Sequence, residues 1–395
     1  MNRPLKLSLI AAEESGDVLG GALMGALRPL RPSIAFSGVG GRAMSARGLS
    51  SPFDTKDLSI IGLASVPRKL PLIFRRIRET ADAAIAARPD ALIIIDSPDF
   101  THRVARRVRQ AAPHIPIVNY APPTVWAWRP WRAKAMRRYV DEALAILPFE
   151  PAAFARLGGP HCTYVGHPLA EQIDRLRPDA AEAQRRMSEP PLLLVLPGSR
   201  TSEVRRLTAI FGETIARVAE CTGPLEVVLP TLPHVADLVR AVTAEWPVRP
   251  RIVLDPAEKQ TAFRSARAAL AASGTVTLEL ALAGVPMVAA YRIPLWEGLV
   301  FRMMAHIDTV ILANLVLGEN AVPEFLQSEC TADRLAAALL PLLRDTPERR
   351  RQIESFSRLD TIMDLAGEAP SIRAARAVLA LIEQKTTLPS PSGSC

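Results

Sequence analysis

Residues 91–100 read Ala-Leu-Ile-Ile-Ile-Asp-Ser-Pro-Asp-Phe. Five apolar residues in a row, with no polar alternation, suit a strand buried on both faces of a parallel sheet. Asp96, Pro98 and Asp99 end the run, and an amphipathic helical pattern follows over residues 102–112. Working outward, the same order recurs. Residues 5–12, 33–39 and 115–120 read as strands, and residues 18–30 and 70–87 as helices. Short buried strands alternating with longer helices predict a doubly wound α/β domain.

A second series begins after residue 190. Strand patterns at 192–196, 225–229, 251–254, 268–272 and 286–290 are separated by helical ones at 203–220, 233–243, 259–264 and 276–284. At roughly 150 residues per domain, 395 residues accommodate two to three domains. The expected division is an N-terminal Rossmann-like domain over 1–168, a linker at 169–190, a second Rossmann-like domain at 191–345, a helical segment at 346–385 and a disordered tail at 386–395. Two such domains would face a central cleft.

Composition narrows the class. Apolar residues make up 49% and charged residues 22%, which permits large cores and excludes global disorder. Forty-eight basic against 40 acidic side chains give +8, which favours a polyanion, whether nucleic acid, anionic lipid or phosphorylated substrate. Cys162, Cys221, Cys330 and Cys395 lie far apart without a CxxC pair, so neither a zinc cage nor a disulfide framework is expected. The apolar run 7–12 ends on Glu13 and Glu14 and reads as a strand rather than a signal peptide. The longest apolar stretch, 268–291, is interrupted by Ser273, Gly274, Thr275 and Glu279, so no transmembrane helix is expected.

Ligands of open parallel sheets bind beyond the carboxyl ends of the strands, which selects four loops. The first, residues 11–17, carries Glu13, Ser15 and Gly16; it reads as a crevice loop or as an N-cap turn with solvated carboxylates. In the second, Asp96 and Asp99 are spaced as a base and its orienting partner, or Asp99 caps the following helix. The third, Gly198-Ser199-Arg200 before a helix, offers close backbone approach, N–H groups and a guanidinium to an anion, without the spacing of a dinucleotide fingerprint or P-loop. The fourth, Ser273-Gly274-Thr275 with Glu279, could hold phosphates on the turn and a ribose diol on the carboxylate. A surface glutamate in a first helical turn is the plainer reading of Glu279. Together these loops suggest a phosphorylated donor in the second domain and a base in the first.

Read in order, Ser15-Gly16-Asp17, Gly38-Val39-Gly40-Gly41, Asp96-Ser97-Pro98-Asp99-Phe100, Trp126-Ala127-Trp128-Arg129, Val165-Gly166-His167-Pro168, Leu196-Pro197-Gly198-Ser199-Arg200, Ser273-Gly274-Thr275 with Glu279, Asn314, and Pro323-Glu324-Phe325-Leu326-Gln327 resemble the lipid-A-disaccharide synthase family over about residues 5–385. The first loop departs from that family's usual AGEASGD at Ala12 and Glu14, and residues 121–124 are also altered. The resemblance implies an inverting GT-B glycosyltransferase. Its substrates would be UDP-2,3-diacylglucosamine and 2,3-diacylglucosamine 1-phosphate, its products a β(1→6) tetraacyl disaccharide 1-phosphate and UDP. It implies Asp99 as base, with Asp96 or Glu13 orienting it or the sugar. Gly198, Ser199, Arg200, Ser273, Gly274, Thr275 and Glu279 would hold UDP, and Ser15, Asn314 and Gln327 would line the substrate site. No metal or other cofactor is expected, with Arg200 and the helix N-termini meeting the diphosphate charge.

Acyl chains require apolar surface. Residues 58–78 interleave Leu58, Ile60, Ile61, Leu63, Leu70, Ile73 and Phe74 with Arg68, Lys69, Arg75, Arg76 and Arg78, and contain no acidic residue. This stretch reads as a contact with the anionic cytoplasmic face of the inner membrane, or as a core helix with a solvated basic face. The expected location is therefore cytoplasmic and peripheral on that membrane, with a homodimer admitted. Another GT-B UDP-sugar transferase or epimerase is the nearest alternative. A basic RNA-binding protein, with Trp126, Trp128 and Trp131 among arginines, is the alternative of a different class, and no nucleic-acid partner is expected.

Overall fold

The computed structural model describes residues 3–58, 66–293 and 309–387. The chain divides into two compact units, Met1–Ala170 with Gly367–Cys395, and Glu171–Ala366. The first is built on β1 (Leu5–Ala11), β2 (Ile34–Val39), β3 (Ala91–Ile95), β4 (Ile117–Tyr120), β5 (Glu142–Ala145) and β6 (His161–Tyr164). They form a parallel sheet in the order β2-β1-β3-β4-β5-β6. The second unit repeats the design with β7 (Leu192–Leu196), β8 (Glu226–Pro230), β9 (Arg251–Val253), β10 (Ala268–Ala272), β11 (Met287–Tyr291) and β12 (Glu324–Leu326). Its parallel order is β12-β11-β10-β7-β8-β9.

The helices that bear on the sites are α1 (Glu14–Leu30), α2 (Val66–Ala87), α3 (Pro98–Ala111), α4 (Trp131–Met136), α5 (Glu150–Arg156), α6 (Thr201–Thr222), α7 (Pro256–Ser265), α8 (Val276–Leu282), α9 (Leu312–Leu317) and α10 (Pro370–Thr387). All five residues of β3 are buried. Leu92 and Ile94 join Val104 and Val108 of α3 and Ile77 of α2 in one core cluster, while Ile93 and Ile95 join Leu23 and Leu27 of α1 in another. The period-2 alternation of a strand therefore sends every side chain of this apolar run into one of two cores.

Strands β5, β6 and β12 escape the apolar pattern. Glu142 opens β5, and His161 opposite it in register opens β6. The Glu142 carboxylate pairs with His161 Nδ1 at 2.7 Å and accepts from Thr163 Oγ1 at 2.7 Å, so a charged residue enters the sheet because its cross-strand neighbours satisfy it. Such a pair is visible only once the strands are adjacent.

The chain does not end as a separate helical segment 346–385. Residues up to Ala366 belong to the second unit, and α10 returns to the first, burying Ala374, Ala375, Val378 and Ile382 with α1 and β1. Of the expected tail, Thr386 and Thr387 complete α10, and residues 388–395 lie outside the described residues. Of the residues expected as a linker, 171–190 are likewise built into the second unit. Arg186 donates to the carbonyls of Ala283 at 2.7 Å and Arg264 at 2.5 Å, and Glu182 pairs with Arg264 at 2.7 Å. Among the described residues no helix is long and apolar enough to cross a membrane.

Val378 has no solvent exposure. Val378→Asp is expected to lower the unfolding free energy by on the order of 3 kcal/mol or more, read by urea denaturation. A change within 0.5 kcal/mol of native, roughly the range of ordinary surface substitutions, would detach α10 from this core.

Candidate active site

In each sheet the strand order reverses once, and the loops on either side of that reversal diverge to leave a crevice. In the first unit the reversal falls between β1 and β3, paired in register from Leu7↔Ala91 to Ala11↔Ile95. The loops selected from sequence, Glu13–Asp17 and Asp96–Asp99, leave these two adjacent strands. In the second unit it falls between β7 and β10, whose loops carry Gly198–Arg200 and Ser273–Thr275. Topology thus brings each pair of loops together.

In the first unit, Ser15 Oγ donates to Asp96 Oδ2 at 2.5 Å, and Asp96 Oδ1 accepts from the Ser97 N–H at 2.7 Å. Asp96 and Ser97 are both left-handed, with φ of 52° and 43°. Two consecutive non-glycine residues there store about 1–3 kcal/mol each, which the surrounding packing has to hold. Gly16 enables the approach of α1, since a Cβ there would stand 3.1 Å from the Ile95 carbonyl oxygen. Asp17 is used differently: its carboxylate accepts from the N–H groups of Gly41, Ala43 and Met44 at 2.7–3.0 Å and caps the next short helix.

Asp99 does not cap α3. Ser97 holds the N-cap position, and Asp99 lies in the first turn with its side chain 83% exposed, paired at 3.1 Å with Arg132 of α4. Glu13 stands exposed at the N-cap of α1, and its carboxylate makes no capping hydrogen bond. Glu13, Asp99, Ser97 and Phe100, with Leu58 and Ile73, line a cavity of ≈ 560 Å³.

The second unit holds a cavity of ≈ 340 Å³ lined by Gly198–Arg200, Glu203, Lys259, Ser273–Val276 and Glu279. Here the structure corrects one expectation. The N–H groups of Ser199 and Arg200 do not await an anion, because Glu203 Oε2 accepts both, at 3.1 and 3.2 Å, while Glu203 Oε1 pairs with Arg200 Nη1 at 3.0 Å. Gly198, at φ +114°, lets that carboxylate lie against the backbone; a Cβ would be 2.5 Å from Glu203 Oε2. The other turn is open: among the described residues, and apart from its chain neighbours, no heavy atom lies within 4 Å of where a Gly274 Cβ would sit. Ser273 Oγ donates to the Val310 carbonyl at 3.1 Å, and Glu279 pairs with Lys259 at 3.5 Å.

The sequence profile of the lipid-A-disaccharide synthetase family matches residues 7–378. The chain belongs to this family. It is 59% identical over 380 residues to the lipid-A-disaccharide synthase of Rhodopseudomonas palustris strain HaA2, covering 96% of this chain and 97% of that protein. It is also 59% identical over 379 residues to the synthase of Nitrobacter hamburgensis, covering 96% of both. Among solved structures, UDP-N-acetylglucosamine 2-epimerase from Rickettsia bellii superposes with a TM-score of 0.62 at 12% identity, over 97% of this chain and 98% of the other. A UDP-glucosyltransferase from Polygonum tinctorium gives 0.60 at 14%, over 96% and 99%. At such identities these two show the fold alone, and that fold is the GT-B class of paired α/β units.

Several family-motif residues serve the scaffold. Asn314 of α9 is 2% exposed; its amide donates to the Val322 carbonyl at 3.0 Å and accepts the Val322 N–H at 2.9 Å. It clamps a loop, and its polar atoms are not free to line a site. Gln327 accepts the Ile293 N–H at 3.1 Å through Oε1 and holds the end of β11. His167 is buried, accepts the Leu169 N–H at 3.2 Å, and is pushed by burial down to about 4, so it is a neutral turn histidine at pH 7.

The basic stretch divides. Residues 59–65 lie outside the described residues, and Arg68 and Lys69 are described as helix backbone alone. Arg76 is only 19% exposed, pairs with Asp57 at 2.7 Å and Glu79 at 3.0 Å, and lies over the Phe53 ring at 4.4 Å. Arg75 pairs with Glu79 at 2.8 Å. Acidic residues just outside the 58–78 window thus engage two of its five cations. The tryptophans do not form one platform either. Trp126 packs edge-on against Phe149 and donates to Glu150 at 3.1 Å, whereas Trp131 is 58% exposed.

Sequence reading passed over Arg132 beside Asp99, Lys259 beside Glu279, and His234, whose Nε2 meets the Ser199 carbonyl at 2.9 Å. It also gave no role to two buried titrating groups, Glu150, which closes the family motif Leu147-Pro148-Phe149-Glu150, and His102. Burial pushes Glu150 up to about 7, against hydrogen bonds from Trp126 and the N–H groups of Leu147 and Ile146. Burial pushes His102 down to about 3, reinforced by Arg106 and Arg132.

For His102 the unfolded chain binds the proton near pH 6.5 and the folded chain does not until about pH 3, so acidification between those values favours unfolding. The slope is up to about 1.4 kcal/mol per pH unit. Glu150 works in the opposite sense between about 4.5 and 7, because the folded state holds the extra proton. His102→Gln is therefore expected to lose less stability than the native protein between pH 6.5 and 4.5, measured by denaturant titration at each pH. Parallel pH profiles would show that His102 is protonated in the fold.

Proposed function

We infer that this chain joins UDP-2,3-diacylglucosamine to 2,3-diacylglucosamine 1-phosphate, giving the β(1→6) tetraacyl disaccharide 1-phosphate and UDP. The observation that carries this reading is the chain-long relation to lipid-A-disaccharide synthases at 59% identity. The arrangement of the loops agrees with it. In the second unit, the open Ser273-Gly274-Thr275 turn is assigned to the diphosphate and Glu279 to the ribose hydroxyls. Arg200 and Lys259, at the rim of the same cavity, supply the positive charge. Glu203 has the positioning role of shaping the Gly198–Arg200 loop.

In the first unit, Asp99 is the base. As the acceptor 6-hydroxyl oxygen attacks the anomeric carbon, its proton passes to the Asp99 carboxylate. The bond from that carbon to the diphosphate oxygen breaks with its electron pair, releasing UDP in one in-line step that inverts the centre. Ser15 and Ser97 N–H hold Asp96 as the fixed neighbour of Asp99, and Glu13 faces the same cavity. Asp99→Asn is expected to cut turnover at least about 100-fold, the usual scale of general-base catalysis, with folding unchanged. UDP release and disaccharide formation followed by mass spectrometry check this; near-native turnover would remove Asp99 from the role.

For substrates that carry acyl chains, we assign the enzyme a peripheral position at the cytoplasmic surface of the inner membrane. On α2, Leu70 is 40% and Phe74 53% exposed, beside Arg75 and Arg78. Apolar side chains with flanking cations suit an anionic interface. Leu70→Glu with Phe74→Glu is expected to reduce sedimentation with anionic vesicles at low salt at least fivefold. Unchanged sedimentation would send membrane contact elsewhere.

A further inference from the structure

Asp99 also lines a second cavity, of ≈ 290 Å³, to which the assignments above give no ligand. Along α3, Asp99, His102, Arg103 and Arg106 recur at helical spacing and so share one face. Arg132 of α4 and Tyr139 close the opposite wall. Three guanidiniums therefore meet one carboxylate. Arg132 takes Asp99; among the described residues no carboxylate pairs with Arg103, which lies over the Phe74 ring at 5.3 Å, or with Arg106. Arg106 instead donates to the hydroxyl of Tyr139 at 3.3 Å. That buried hydroxyl also meets His102 Nδ1 at 2.9 Å, so the floor of the cavity is a fixed polar network.

A pocket with uncompensated arginines is built for an anion, and the planar guanidinium fork suits phosphate oxygens. We propose that Arg103, Arg106 and Arg132 bind the phosphate monoester of the acceptor, next to the base that activates its hydroxyl. The proposal rests on the reading of Asp99 as acceptor-side base. Two features of the site follow. Asp99 lines both this cavity and the ≈ 560 Å³ one walled by Leu58, Ile73 and Phe100, so an acylated sugar phosphate meets charge on one side and apolar surface on the other. Moreover, a phosphate dianion competes with Asp99 for Arg132. Binding the phosphate therefore draws Arg132 from the carboxylate and leaves its oxygen free to accept the hydroxyl proton, which couples acceptor recognition to activation of the base.

The test compares the native protein with Arg103→Gln, Arg106→Gln, Arg106→Lys and the double glutamine variant. Steady-state kinetics use the acceptor with and without its 1-phosphate, and calorimetry measures binding of glucosamine 1-phosphate alone. The expected result is an acceptor KM raised at least tenfold in the double variant, with the KM for the UDP-sugar unchanged and partial recovery in Arg106→Lys. The native preference for the phosphorylated acceptor collapses, and the calorimetric signal is lost. Arg103→Gln removes an exposed side chain that lies over the Phe74 ring and keeps the test decisive if Arg106 variants fold poorly. An unchanged acceptor KM and preference in folded variants overturns the proposal, as does a raised KM with the preference intact. If the native protein makes no disaccharide yet binds glucosamine 1-phosphate through these arginines, the functional reading falls while the anion site stands.

Discussion

The side-by-side ladder of β1 and β3 is the constraint on which the first unit depends. Two parallel strands buried on both faces leave their backbones hydrogen-bonded and their carboxyl ends level, and β1 then connects away on one side while the chain returns to β3 on the other. The loops that follow must part, and the gap between them is where Ser15 reaches Asp96. The close approach requires Gly16, because the Ile95 carbonyl occupies the space a larger side chain would need. It also holds Asp96 and Ser97 in left-handed backbone, a conformation that an isolated loop would relax.

The second unit applies the same geometry at β7 and β10 with different electrostatics. There the protein's own carboxylate, Glu203, fills the loop after β7, leaving the turn after β10 with an open backbone. The two loops look equivalent as strings of small residues before a helix. A buried carboxylate that accepts two N–H groups and a guanidinium separates a braced loop from an open one.

Much of this was legible in residues 91–100 and 192–196, since unbroken apolar runs of strand length have few other uses. The strands that were missed, β5, β6 and β12, are three or four residues long and carry Glu142, His161 and Glu324, whose partners come from other elements. The site loops were found because position after a strand is a sequence property. Asn314 and Gln327 were assigned to the substrate because their motifs, not their hydrogen bonds, could be read. Arg76 was read as a free cation because the segment boundary hid Asp57 and Glu79.

By itself the sequence determined two parallel α/β units, the loops at their strand ends, the resemblance to lipid-A-disaccharide synthases and Asp99 as the base to examine, because periodicity and motif order are one-dimensional properties. Only the tertiary structure decided which charges are satisfied. It set Arg132 against Asp99, Lys259 against Glu279 and Glu203 against its own loop, gathered three arginines around one carboxylate, and returned α10 to the first unit. The reason is physical: a charge is free or paired according to what folding brings within a few ångströms of it, and those partners lie from 3 to 352 residues away along the chain.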